Sequence, residues 1–459
     1  MLNKYYLQEL AALRDLGAEF AEKHPAIASM LSGSSADPDV ERLLEGVAFL
    51  TGLIREKLDD DFPEIIHGLV NLLWPHYLRP VPAGSIVAFR PKSSLKQALH
   101  VEKGVQLASV PIEGASCLFK TCFDVEVQPL EIINVAFVEK PGQPSAIRIR
   151  LATQGIGLNS LQLSTLRLYL AGEYPAASER YYVLRRFLRR IIIRSAGQDD
   201  EFSLSKEQLQ PVGLNMADGV LPYPGNSFPG YRIIQEYFTQ PQNFLFLDLT
   251  GLENWFKRGQ GTEFDIFFEL DPVPFQMPRI RTQDFVLYAT PVLNLFQHEA
   301  DPIRLDHKRS EYRVRPTTAR LSHFQVYSVD KVVGYMQGSA AARTYQHFDH
   351  FSHHAVSVPV YNISRRQSPA RRETDIYLSV SYPRANGPPV PETLSIELTC
   401  TNGALPENVQ IGDISRATSS TPELVTFSNI TAPTAGVQPP LGKNLLWRLL
   451  GHLSLNYTS

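Results

Sequence analysis

The chain has 459 residues, 43% hydrophobic and 20% charged, a composition that excludes a largely disordered chain and leaves room for more than one hydrophobic core. With 44 basic and 47 acidic side chains the net charge is -3, so no overall field draws it to nucleic acid or anionic lipid. Three cysteines, Cys117, Cys122 and Cys400, are too few for a disulfide framework and point to reduced thiols in a cytosolic setting, and no run of roughly 18 apolar residues offers a transmembrane span.

Residues 1–83 read as an N-terminal helical region. The opening MLNKYYLQELAALRDL carries acidic residues inside a helical pattern, unlike a secretory leader. In the next helix Asp37 is the expected N-cap and Pro38 the first helical residue. Val40, Leu43, Leu44, Val47, Ile54 and Leu58 recur there at helical spacing and are expected to turn one side to a core. A further helix is expected from Phe62 to Trp74, with Pro63 in its first turn and Pro75 ending it. Ile65, Ile66, Leu69, Val70, Leu72, Leu73 and Trp74 leave it apolar on nearly every side, so it must be surrounded. Three helices from so short a stretch cannot encircle it, and other parts of the chain or other chains are expected to complete its packing.

From Gly84 the pattern turns to strands. GSIVAF, CFDVEVQPLEIINVAFV, SAIRIRLAT, LSTLRLYLAG, NFLFLDL and TEFDIFFEL define a first β-rich domain over 84–294. A short helix is inserted within SERYYVLRRFLRRIII, with Val183, Leu184, Phe187, Leu188 and Ile191 on one side and Arg185, Arg186, Arg189 and Arg190 on the other. EYRVRP, FQVYSV, DIYLSVSY and TLSIELTC define a second β-rich domain over 295–414. Residues 415–442, dense in Ser, Thr and Pro, read as an extended linker. Residues 443–459 read as a terminal helix, the start of a missing C-terminal part. The fold class is α+β: a helical region, two antiparallel, sandwich-like β domains and a terminal helix.

The most chemically suggestive stretch is TPVLNLFQHEADPIRLDHKRSEYRVRP, which sets His298, Glu299, Asp301, Asp306 and His307 beside Arg304, Lys308, Arg309, Arg313 and Arg315. A metal-dependent hydrolase would need His298, Glu299 and His307 to converge. No second His stands at i+4, Pro302 interrupts the run, and on a strand His298 and Glu299 point to opposite faces. Ion pairs that tie down a loop account for the cluster better. A second group, His347, His350, His353 and His354, could hold zinc or nickel adventitiously, but no Cys or paired carboxylates complete the set, and a polar aromatic loop is preferred. The arginines of the inserted helix are expected on a solvated face, or else against an acidic partner patch. No GxSxG elbow, phosphate-binding glycine loop or HExxH occurs, and Cys117 and Cys122 are expected inside a β core. A carbohydrate-binding module would rest on the many Tyr and Phe alone. No catalytic residue, cofactor or metal ligand is assigned.

YYLQELAALRDLGAEFAEKHPAIA, DPDVERLLEGVAFLTGLIREKLDDDFPEI, LLWPHYLRPVP and EYFTQPQNFLFLDLTGL, with the cluster stretch above, resemble the TssF family, the wedge subunits of the bacterial type VI secretion baseplate. The resemblance runs the length of the chain in one order. It implies a cytoplasmic structural subunit, not an enzyme, that assembles with TssG, TssE, TssK and a second TssF around the spike. It also implies a junction between the sheath and the inner-membrane complex, with no cofactor, no nucleic acid and no membrane insertion of its own. The subunit interface is expected at Leu43, Val47, Ile66, Leu69, Leu73 and Trp74, and at Leu446, Trp447 and Leu450 near the end.

Overall fold

In AIRIRLAT and EFDIFFEL apolar side chains alternate with polar ones, and the two segments lie side by side as antiparallel strands, Ala146–Thr153 and Glu263–Leu270. Ile147, Ile149, Leu151, Phe264, Ile266 and Phe268 point into the core, as the two-residue period of a strand requires. On the outward face oppositely charged residues stand directly across from one another. Arg150 grips Asp265 through two bonds of 2.8 and 2.9 Å, and Arg190 meets Glu269 at 2.6 Å. Such cross-strand pairs help fix the register.

The computed structural model describes residues 4–24, 37–60, 66–70, 75–139, 141–142, 144–197, 200–223, 229–318, 320–336, 342–348, 359–368, 374–382 and 391–441, with positions 448 and 451. Met1–Leu73 with Pro440–Ser459 forms one unit and Trp74–Pro439 the other.

Within the larger unit the sheets are mostly antiparallel. A six-stranded sheet runs in the spatial order Ile414–Arg416, Gln106–Ile112, Ala115–Thr121, Ala289–Leu293, Gly84–Pro91 and Val425–Asn429. A five-stranded sheet runs Glu201–Ser205, Leu188–Ser195, Glu263–Leu270, Ala146–Thr153 and Leu130–Val138, and a four-stranded one Leu209–Pro211, Phe246–Leu249, Leu166–Leu170 and Phe285–Leu287. Leu99–Val101 pairs with Val125–Val127. These elements share one hydrophobic core, from Ile86 to Phe427 in sequence. A second core, within Phe296–Cys400, belongs to a sheet ordered Phe296–Glu299, Glu392–Thr401, Gln325–Met336, Ala342–His347, Val360–Gln367, Thr374–Ser381 and Tyr312–Val314. Ile303–Leu305 also pairs with its Glu392–Thr401 strand, and only Ala342–His347 and Val360–Gln367 run parallel among the described pairings.

The chain passes between the two cores at Asn294 and Asn402, and the two buried amides lock together there. Asn294 Nδ2 donates to Asn402 Oδ1 at 2.8 Å and to the Leu118 carbonyl at 2.7 Å, while the Asn402 N–H donates to Asn294 Oδ1 at 2.6 Å. Asn402 Nδ2 completes the set on the His323 carbonyl. Buried amides with every partner in place make a rigid, specific junction.

Several sequence expectations change. Residues 415–442 are not simply a linker: Val425–Asn429 closes the edge of the six-stranded sheet, with Phe427 opposite Phe89, and Val437 bridges back to Val81. The partners lie hundreds of residues earlier, so local composition carries no trace of the pairing. The arginine helix is shorter than its pattern. It spans Tyr174–Arg186, and after Phe187 the chain becomes the strand Leu188–Ser195, because three consecutive isoleucines favour a strand and buried strand partners flank them. The hairpin Gln106–Ile112 to Ala115–Thr121 was signalled by Glu113-Gly114, whose φ angles of 51° and 82° make a two-residue turn, yet its strands lie outside those assigned from sequence. Cys117, Cys122 and Cys400 are buried free thiols, and burial pushes them up to about 11, 12 and 12, so they stay protonated and unreactive.

Candidate subunit interface

The smaller unit is built on two helices, α1 (Lys4–Lys23) and α2 (Pro38–Asp60). Asp37 caps α2 as its sequence suggests. Its Oδ1 accepts the Asp39 N–H at 3.0 Å and its carbonyl the Glu41 N–H at 3.0 Å, while Asp39 and Glu41 suit the positive end of the helix. Arg14 pairs with Glu41 at 2.5 Å and Arg55 with Glu9 at 2.5 Å, so the helices run antiparallel. Gly52 allows the close crossing, because a Cβ there would lie 2.9 Å from the backbone nitrogen of Tyr6.

This pairing uses only part of the apolar surface. Ala48 is buried on α2 and Leu10 and Ala21 on α1. Leu43, Val47, Leu50 and Ile54 follow a 4-3-4 spacing on another face and are 69%, 40%, 60% and 59% exposed. That spacing is the seam of a coiled coil, with β-branched Val47 and Ile54 alternating with Leu43 and Leu50. Phe49 and Leu53 on α2, and Leu7, Leu16 and Phe20 on α1, are exposed as well. Together they leave an exposed apolar stripe on the helical pair.

The expectation that one apolar side of α2 faces a core holds only in part, since of the residues it rested on Val40 and Leu44 are half-buried. Leu43, Val47 and Ile54 lie on the outside, because small residues, Ala48 and Gly52, make the contact with α1 that larger ones would prevent. Leu50 was missed from sequence, though its place between Val47 and Ile54 completes the heptad spacing. In the helical turn at 66–70, Ile66 and Val70 are buried and Leu69 is exposed, so of the expected interface residues Leu69 joins Leu43 and Val47 on the surface and Ile66 does not. Leu73, Trp74, Leu446, Trp447 and Leu450 lie outside the described residues.

The described residues of the polar clusters are taken up by local contacts. His298 and Glu299 sit on the strand Phe296–Glu299. His298 Nε2 bonds to the Thr317 carbonyl at 2.9 Å with its ring 4.9 Å from Phe324, and His307, at φ 58°, packs its ring 5.5 Å from Tyr382. Asp306 accepts from the Tyr312 hydroxyl at 2.8 Å and the Lys308 N–H at 3.2 Å, which holds its carboxyl below the usual range. Arg313 pairs with Asp375 at 2.5 Å, not with the neighbouring acids, and Arg366 with Glu311 at 2.9 Å. His347 lies in a strand against Tyr361, and His350, His353 and His354 fall outside the described residues. Among the described residues no three His, Cys, Asp or Glu side chains gather to hold a metal. Of the arginines expected on a solvated helix face, Arg185 donates to the Leu209 carbonyl, and Arg190 belongs to the strand pairing.

Comparison with known proteins agrees with the scaffold reading. The family model described as "Type VI secretion system, TssF" matches residues 1–459. The type VI secretion system component TssF1 of Pseudomonas aeruginosa is 30% identical over 505 aligned positions, which cover all of this chain and 80% of that protein. A chain in the cryo-electron microscopy structure of the TssK-TssF-TssG baseplate subcomplex is 30% identical with a TM-score of 0.77, over 91% of this chain and 78% of its own length. A chain of the baseplate complex from the type VI secretion system is 25% identical with a TM-score of 0.57, over 98% of this chain and 79% of its own length. The chain belongs to the TssF family of the type VI secretion system.

Proposed function

We propose that this protein is a structural subunit of the type VI secretion baseplate that acts by assembly, without catalysis, and that the exposed α2 seam receives a partner helix. The observation that carries the reading is the stripe Leu43, Val47, Leu50 and Ile54, which α1 leaves uncovered. Leucine and β-branched residues alternating at heptad spacing fit a single helix laid alongside. TssG and TssK are the first candidate neighbours, supported by the subcomplex that contains the similar TssF chain. A second copy of this chain, TssE, the spike and the sheath complete the proposed set of partners. The proposed place of work is the cytoplasmic baseplate docked on the inner-membrane complex. No helix among the described residues is long and apolar enough to cross a membrane.

Replacing Leu50 and Ile54 together by Asp tests the seam. Burial of each side chain is worth about 1.5–3 kcal/mol, so losing both should weaken co-purification with TssG and TssK by at least about a hundredfold. The melting of the β unit should not change, since both side chains are exposed and their helix belongs to the other unit. Undiminished co-purification of the variant would contradict the assignment.

A further inference from the structure

Most arginines drawn into the larger unit own a counter-charge or a full set of carbonyls. Arg167 is held by Asp248 through bonds of 2.7 and 2.8 Å, Arg232 by Glu236 at 2.9 Å and Arg180 by Asp284 at 3.5 Å. Arg258 has no carboxylate but donates to the carbonyls of Leu161, Leu163, Leu252 and Trp255. Arg365 has neither. It is 9% exposed, its Nη2 donates to the Tyr327 carbonyl at 2.9 Å, and its Nη1 is buried without a hydrogen-bond partner. Among the described residues no acid pairs with it.

A second cation shares the same tyrosine. The Arg79 guanidinium lies over the Tyr327 ring, 5.6 Å from its centroid. Burial, and then repulsion from Arg79, bring Arg365 down to about 10, and burial with Arg79 brings nearby His76 down to about 4. Among the described residues neither guanidinium has an ion-pair partner, and a carboxylate would match their planar donors. Arg79 and Tyr327 line a cleft of about 1180 Å³. That volume is far more than a small ion needs, one water-sized sphere requiring roughly 10–15 Å³, and it suits a polypeptide segment. Lys103 and Lys120 also line the cleft, but so do Glu299, Asp330 and Glu397, a mixture that would repel a polyanion such as nucleic acid.

We infer that the cleft is a docking slot for a partner-protein segment whose acidic side chain meets Arg79 and compensates the charge of Arg365. The source of that carboxylate rests on the baseplate reading; the need for an anion does not.

Two measurements on the full chain and its Arg79→Gln and Arg79→Lys variants test this. In the first, acetate or inorganic phosphate is compared with sodium chloride at matched ionic strength. Both anions should raise the melting temperature of the wild type and not that of Arg79→Gln, since a ligand of the folded state alone stabilises it. Equal responses in wild type and Arg79→Gln would overturn the anion site. In the second, capture of co-expressed TssG and TssK should fall about tenfold or more for Arg79→Gln and recover largely in Arg79→Lys. Full capture by Arg79→Gln, alongside a lost anion response, would overturn the partner-protein source and leave a small-anion site. If the wild type itself captures neither protein, the baseplate reading and the proposed source fall together, while the melting comparison still decides whether an anion binds.

Discussion

His76 shows how burial sets the chemistry of a single side chain. Its ring packs 4.4 Å from Tyr223, and its Nδ1 is buried without a partner. Burial and the Arg79 charge lower it from 6.5 to about 4, so the folded chain holds it neutral. Between those two values the unfolded chain binds a proton that the folded chain refuses. Stability from this group is therefore complete above pH 6.5 and is lost as pH falls towards 4. After allowance for solvent screening the loss should be about 1–2 kcal/mol. Urea unfolding of wild type and His76→Phe at neutral and acidic pH should show a steeper fall for the wild type; parallel curves would contradict it. The Arg232–Glu236 pair is a different case. Glu236 is buried, yet it accepts the N–H groups of Val220 and Leu221 at 2.9 Å each as well as Arg232, so the pair pins the 213–221 loop to the helix Pro229–Thr239. Arg232→Met, which strands the carboxylate, should cost about 3–5 kcal/mol in denaturant unfolding.

Gly52 carries the geometry of the helical pair. A valine there drives its side chain into the backbone of Tyr6 and should cost on the order of 1–3 kcal/mol. Amide exchange should rise in α1 and α2 and stay unchanged in the strand Glu263–Leu270; uniform exchange across both units would contradict the assignment. At this scale much of the fold was legible in the sequence. Ala146–Thr153 and Glu263–Leu270 announce themselves by alternation, and α2 by Asp37 and Pro38, because the signals are local. The limit of the arginine helix was not, since Leu188 and Ile191 fit a helical period as well as the strand that tertiary pairing selects. The exposed apolar seam was half legible. Helical spacing singles out Leu43 and Val47 as apolar but does not say which face the small residues of α2 give to α1. Arg79 and Arg365 could not be paired from sequence, because only the fold brings them to one tyrosine.

Over the whole molecule, two β cores share one rigid junction and a separate helical unit offers an uncovered seam. Asn402→Leu should leave one Nδ2–H of Asn294 and the Leu118 amide without their acceptor between the cores, at a cost of about 2–4 kcal/mol, and calorimetry should show the two cores melting apart. On the proposed function, assembly depends on the seam. Hydroxyl-radical footprinting of Leu43, Val47, Leu50 and Ile54, in the isolated chain and in its complex with TssG and TssK, tests this most directly. Strong labelling of the free chain that drops several-fold on assembly is the expected result, and equal labelling in both states would contradict it.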